Sequence, residues 1–125
     1  MVAALGLGTG AALAQEDAGK AEYMNACAGC HGESAMGNGP LSSLMNIPVP
    51  DLTGLKARND GVFPMLDVIH TIDGRMQAEA HGGPMPIWGD RFKAHMTTEM
   101  DEYGGEMRVR GRILSLALYL DSIQK

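Results

Sequence analysis

The stretch CAGCHGESAMGNGP, residues 27–40, holds both cysteines of the chain, a histidine directly after the second, and a glycine-rich run that ends in proline. Cys27 and Cys30 are three residues apart, and Cys27 and His31 are four apart, so on a helix all three side chains share one side. Two thiols and an imidazole placed this way suit covalent haem attachment. Each thiol can add to a vinyl group of the porphyrin while the imidazole reaches the iron from the same face. Cys-x-x-Cys-His is the attachment pattern of a c-type haem. A zinc site would want four ligands, and the further cysteines it usually draws on are absent. A thioredoxin-like redox pair would want a preceding strand and a βαβ setting. A disulfide across two residues would staple little chain.

The residues that follow have a reading of their own. A ligating histidine usually donates its second ring N–H to a backbone carbonyl or a carboxylate, which fixes the tautomer. Pro40 is the candidate for that carbonyl. Gly37 and Gly39 would let the backbone turn closely beside the porphyrin. The plainer alternative is a surface turn.

Working outward, EDAGKAEYMNACAGC lacks proline and carries acidic residues at its start, which predicts a helix from about Glu16 to Cys30. Residues 32–60 are punctuated by Gly37, Gly39, Pro40, Pro48, Pro50 and Gly54, the pattern of a long loop with short turns. Such a stretch in a small domain is usually functional or wrapped around something. Val62, Leu66, Ile69 and Ile72 recur at helical spacing, with Pro64 suited to the first turn and Gly74 to the C-cap. Residues 75–97 read mostly as loop. The last segment is a strong helix with Ile113, Leu116, Ala117, Leu120 and Ile123 on one stripe. Nothing reads as a strand. The expected fold is all-α, with about three main helices and long Gly/Pro-rich loops.

The chain has 125 residues, which suits one domain with a small core, and aromatics make up only 5% of it. A cofactor would help to fill the centre of such a scaffold. The formal net charge of −5, with no basic stripe, argues against a nucleic-acid partner. The arginines at 108, 110 and 112 follow a run of acidic residues, and Glu106 and Arg110 are spaced to pair on a helix. Residues 2–14 are uncharged, mostly small and apolar, and end in Ala-Leu-Ala, like the core and cleavage site of a secretory signal. The expectation is a signal peptide at 1–14, a mature domain at 15–125 and a periplasmic destination. The alternative is an uncleaved apolar helix that packs or anchors.

CAGCH at 27–31, GNGP at 37–40, GGPMPIWG at 82–89 and the pair of terminal helices together resemble the class I, single-haem cytochromes c. The resemblance covers essentially all of 15–125. In that family a glycine and an aromatic four residues on, ahead of the haem motif, cross a leucine and an aromatic three apart in the last helix. Gly19 and Tyr23 match the first pair, and Leu116 and Tyr119 the second. The resemblance also implies a methionine from a later loop as second iron ligand, opposite His31. Ten methionines compete for that role. Met85 stands out because Pro84 and Pro86 flank it and stiffen its loop. Met76, Met96, Met100 and Met107 follow, and His70, His81 and His95 are weaker candidates. Two roles are open to Trp88, against a haem edge or propionate and as a large core residue. Arg58 and Arg75 each sit at a loop edge from which a propionate could be paired.

The resemblance implies one covalently held haem c and a carrier of single electrons, not an enzyme. Both axial positions would be filled, leaving no open site for substrate, and methionine ligation raises the potential. A redox protein such as a dehydrogenase, a bc-type complex or a terminal oxidase would dock at the haem edge in a transient contact. The protein itself is expected to be a monomer, touching a membrane only through such partners or an uncleaved leader. Two alternatives stay open: a dedicated electron-transfer subunit of one oxidoreductase, and a haem enzyme with a free iron position for peroxide or a gas.

Overall fold

The computed structural model describes residues 10–74, 85–94 and 102–125. Five α-helices occur among them: α1 (Gly10–Ala26), α2 (Ala28–His31), α3 (Met65–Asp73), α4 (Trp88–Ala94) and α5 (Glu102–Ser122). Short 3-10 turns lie at Ser42–Leu44 and Ala57–Asn59, and there is no strand among the described residues. No helix there is long and apolar enough to cross a membrane.

α5 is the hub. Val109, Ile113, Leu116, Ala117 and Leu120 recur on one face and are buried, with Ile123 packed against them. That face meets α1, α3 and α4. The α1–α5 crossing is as close as backbones allow. A Cβ built on Gly19 would run into the carbonyl oxygen of Ser115 and come within 2.8 Å of the Tyr119 Cβ. Only glycine permits this approach. One turn on, the Tyr23 and Tyr119 rings pack at 5.4 Å with a 48° tilt, a favourable aromatic arrangement. The expected contact of Gly19 and Tyr23 with Tyr119 is therefore present, and Leu116 is buried in the same cluster. α1 and α5 are also tied by charge, since Nε and Nη2 of Arg112 each donate to Glu22 at 2.8 Å. The guanidinium stacks over the Phe92 ring of α4 at 4.0 Å, so one side chain joins three helices. The expected Glu106–Arg110 pair forms at 3.0 Å, and Lys93 of α4 joins it at 3.1 Å.

Three expectations need correction. The first helix begins at Gly10, inside the stretch read as a leader, and is divided at Cys27 before α2. The division is a tightening rather than a break. The Cys27 amide still donates to the Tyr23 carbonyl at 2.8 Å, while the Cys27 carbonyl accepts from both Cys30 (3.1 Å) and His31 (2.9 Å). In α3 the buried residues are Val68 and Ile72, with Met65 and Ile69 partly covered, whereas Val62 and Leu66 are exposed. Pro64 caps this helix, so Val62 precedes it and cannot share its stripe. Gly74 closes it in the left-handed region (φ 88°), its amide donating to His70. Finally, α4 lies within the segment expected to be mostly loop. Its seven residues form a helix because tertiary packing holds them: Phe92 is buried and Trp88 packs against the core, while the two rings also meet within the helix at 5.8 Å.

Candidate functional site

The site is built at the joint between α1 and α2. Tyr23, fully buried, sends its hydroxyl to the Gly32 carbonyl at 2.6 Å, pulling the end of α2 back onto α1. Burial holds its phenol well above the ordinary tyrosine range. Cys27, Cys30 and His31 thus share one short stretch of helix, with Cys27 and His31 buried and Cys30 half-buried. Both thiols are free. Burial pushes the Cys27 thiol up to about 12, with smaller contributions from Glu22 and Cys30.

His31 Nδ1 lies 3.1 Å from the carbonyl of Pro50. A carbonyl only accepts, so Nδ1 carries the proton and Nε2 keeps its lone pair. Burial lowers the imidazole pKa, against a smaller opposing effect of the Pro50 bond. A neutral ring with a fixed tautomer is the form that ligates a metal.

The carbonyl partner is Pro50, not Pro40, and the loop geometry gives the reason. The amides of Gly39 and Leu41 donate to the carbonyls of Cys30 (3.0 Å) and Gly29 (2.9 Å), so the segment around Pro40 lies along the backbone of the motif, and Pro40 is exposed. Farther along, the loop returns. Gly37, at φ 80°, leaves room for the Val49 carbonyl, and a Cβ there would lie 3.1 Å from the Val49 carbonyl carbon. That close approach brings Pro50 up to the ring. The two glycines do allow tight turns, but toward the protein's own backbone.

Beyond Pro50 the chain is held by Asp51, whose Oδ1 accepts from both the amide and the hydroxyl of Thr53 at 2.7 Å. These two bonds, then the charges of Lys125 and Arg58, hold the Asp51 carboxyl below its usual range. A depressed carboxyl stabilises the fold above the unfolded pKa, about 3.9. That contribution disappears as pH falls through the lower, folded value. Asp51 should accordingly titrate below free aspartate in a carboxyl NMR titration. Asp51→Asn should remove part of the acid sensitivity of unfolding below about pH 4. An Asp51 that titrates like a free carboxyl would overturn this.

The other expected site residues are placed as follows. Met85 is half-buried and packs against the core, two residues ahead of Ile87. Ile87 abuts Gly74, whose added Cβ would lie 3.2 Å from the Ile87 Cβ, so the start of α4 is clasped to the end of α3. Trp88 is half-buried, with Arg91 over its ring at 5.3 Å. Arg58 Nη2 donates to the Asp51 carbonyl at 2.7 Å. His70 is half-buried and lines a groove between α3 and α5. Arg75, Met76, His81, Pro84, His95, Met96 and Met100 lie outside the described residues. Sequence reasoning missed Pro50 and Asp51, although Asp-x-Thr after Val-Pro is a legible turn signal.

The residues present fit a covalent haem. Two free thiols and a tautomer-fixed imidazole supply its attachment and one iron ligand. A protein-family model described as Cytochrome c matches residues 16–102. No curated protein and no solved structure gives a match. The matched span runs from α1 through the thiol–imidazole turn to the start of α5 and so takes in the whole site, which makes this chain a member of the cytochrome c family, carriers of electrons on a covalently bound haem.

Proposed function

We propose that the protein is an exported carrier of single electrons, its haem held by Cys27 and Cys30 and its iron ligated by His31 and Met85. The observation that carries this reading is the coincidence of two free thiols with an imidazole whose Nδ1–H is committed to Pro50. When bound, haem supplies one-electron exchange at its iron. The chain's own residues orient it: the α1–α2 joint sets the thiols and the ring together, and the α3–α4 clasp sets where Met85 stands. A neutral thioether needs no deprotonation to ligate, so that bond would hold across neutral pH.

Export rests on the apolar run that ends Ala-Leu-Ala at residue 14. Docking of a redox partner is supported by the loop over the site. Residues 34–50 contain no charged side chain, and Leu44 and Ile47 there are 75% and 54% exposed. An uncharged rim favours a brief contact with another redox protein, such as a dehydrogenase or a terminal oxidase.

Mass spectrometry of the denatured protein tests the attachment. The intact chain should carry the added mass of one haem. Cys27→Ser and Cys30→Ser should each retain a single link, and the double variant none. Haem that acidified organic solvent extracts from the parent protein would sink the proposal.

A further inference from the structure

Just past α5, the Gln124 carboxamide is fully engaged. Its Nε2 donates to the carbonyls of Leu52 (2.8 Å) and Leu120 (2.7 Å), and its Oε1 accepts from the amide of Lys56 (3.0 Å). The amide of the next residue, Lys125, donates to the Thr53 carbonyl at 3.0 Å. These bonds bind the end of α5 to residues 52–56. That segment starts two positions after Pro50, whose carbonyl meets His31 Nδ1. On its other flank, the Leu52 amide donates to the Ala35 carbonyl at 2.8 Å. Leu52 is thus gripped through its N–H by the loop after the motif and through its C=O by Gln124. Burial alone does not explain Gln124, which is only half-buried. A helix-end cap would account for its bond to Leu120 and leave those to Leu52 and Lys56 unexplained.

From this arrangement we infer that Gln124 is a positioning residue that sets the Pro50–His31 hydrogen bond and, through it, the reduction potential. The inference rests on His31 being an iron ligand. Hydrogen-bond strength falls steeply with distance and angle, so a Pro50 carbonyl free to drift holds Nδ1–H less well. An imidazole whose second nitrogen is firmly hydrogen-bonded is more basic and a better donor to a metal. A better donor favours ferric iron, so the intact grip lowers the potential. Releasing it raises the potential.

The test uses haem-loaded protein. Gln124→Met keeps length and volume and removes all three side-chain bonds. Lys125→Pro leaves the three Gln124 bonds in place and removes the amide donated to Thr53, together with the side chain that reaches Met36 Sδ at 3.7 Å and whose charge acts on Asp51; Lys125→Ala, which keeps the amide, isolates that side-chain effect. Ser122→Ala is the control, since its hydroxyl caps α5 by donating to Tyr119 at 2.7 Å and makes no bond to residues 50–56. Gln124→Met should raise the potential and speed solvent exchange of the His31 Nδ1 proton several-fold, as expected for a weakened hydrogen bond. Lys125→Pro should shift both in the same direction by less. Ser122→Ala should lower the melting temperature slightly and move neither. If Gln124→Met lowers the melting temperature while potential and Nδ1–H exchange stay at parental values, Gln124 is a structural clip and the inference fails. A parent protein in which His31→Ala leaves the haem spectrum unchanged would instead refute ligation by His31.

Discussion

Gly19→Ala should destabilise the protein by on the order of 3 kcal/mol, and Gly111→Ala should stabilise it by about 0.5–1 kcal/mol, although both put the same methyl group into a helix. At Gly19 the methyl group meets the Ser115 carbonyl and the Tyr119 Cβ. Neither is the far end of a flexible side chain, so α1 and α5 must separate. Separation loosens the Tyr23–Tyr119 contact and the buried face of α5 together. At Gly111 nothing lies within 4 Å of the added Cβ, and only the intrinsic cost of glycine in a helix is removed. In thermal melts the first change should lower the midpoint by roughly 10–20 °C and the second should raise it by a few degrees. Gly19→Leu should be worse than Gly19→Ala. Equal midpoints for the two alanine variants would mean that the crossing is not where α1 and α5 are most tightly opposed.

Met85→Ala should turn a protein that resists carbon monoxide into one that binds it. On the proposed ligation, the change frees one iron position while His31 and both thioethers stay in place. The oxidised protein should lose its weak far-red sulfur-to-iron band. The potential should fall, because the thioether that favours ferrous iron is gone. Met85 is also packed, half-buried, against the core, so its truncation should cost roughly 1 kcal/mol of stability beyond the loss of the bond, less than a fully buried methionine would. If the band survives in Met85→Ala and carbon monoxide is still excluded, another methionine is the ligand, with Met76 the next to replace. If the unaltered protein takes up carbon monoxide readily, the open-site enzyme reading displaces the carrier.

Local signals foretold the parts of this fold that local physics decides. The cap pair Pro64 and Gly74 bounds α3 as expected, because each residue type is suited to one end of a helix. The stripe on α5 is buried as expected, because helical periodicity alone places those residues together. The thiols and His31 meet because three and four residues make one turn. What escaped was set by residues distant in sequence. α4 has glycine and proline around it, and its helix exists because Phe92 and Trp88 find a surface. The Glu22–Arg112 pair joins two runs whose charges, taken locally, look like solvated faces. Pro50, not Pro40, meets the ring because a loop whose described regular structure is one 3-10 turn comes back to it, and no periodicity reports where such a loop returns. In α3 the second half of the stripe, Ile69 and Ile72, is as expected, but Val62 lies before the capping proline and Leu66 turns to solvent while Met65 and Val68 turn inward.

The crossing at Gly19 joins segments near opposite ends of the chain, and this imposes an order of events. While the polypeptide is being made, α1 is complete long before the residues around Ser115 exist to receive it. A contact that spans the chain forms late, because the whole intervening loop must close first. Until then Tyr23 has no surface to bury against and Cys27, buried in the finished fold, stays reachable. The topology thus leaves an interval in which a thiol that folding will enclose is open to chemistry, and the last helix to arrive ends it.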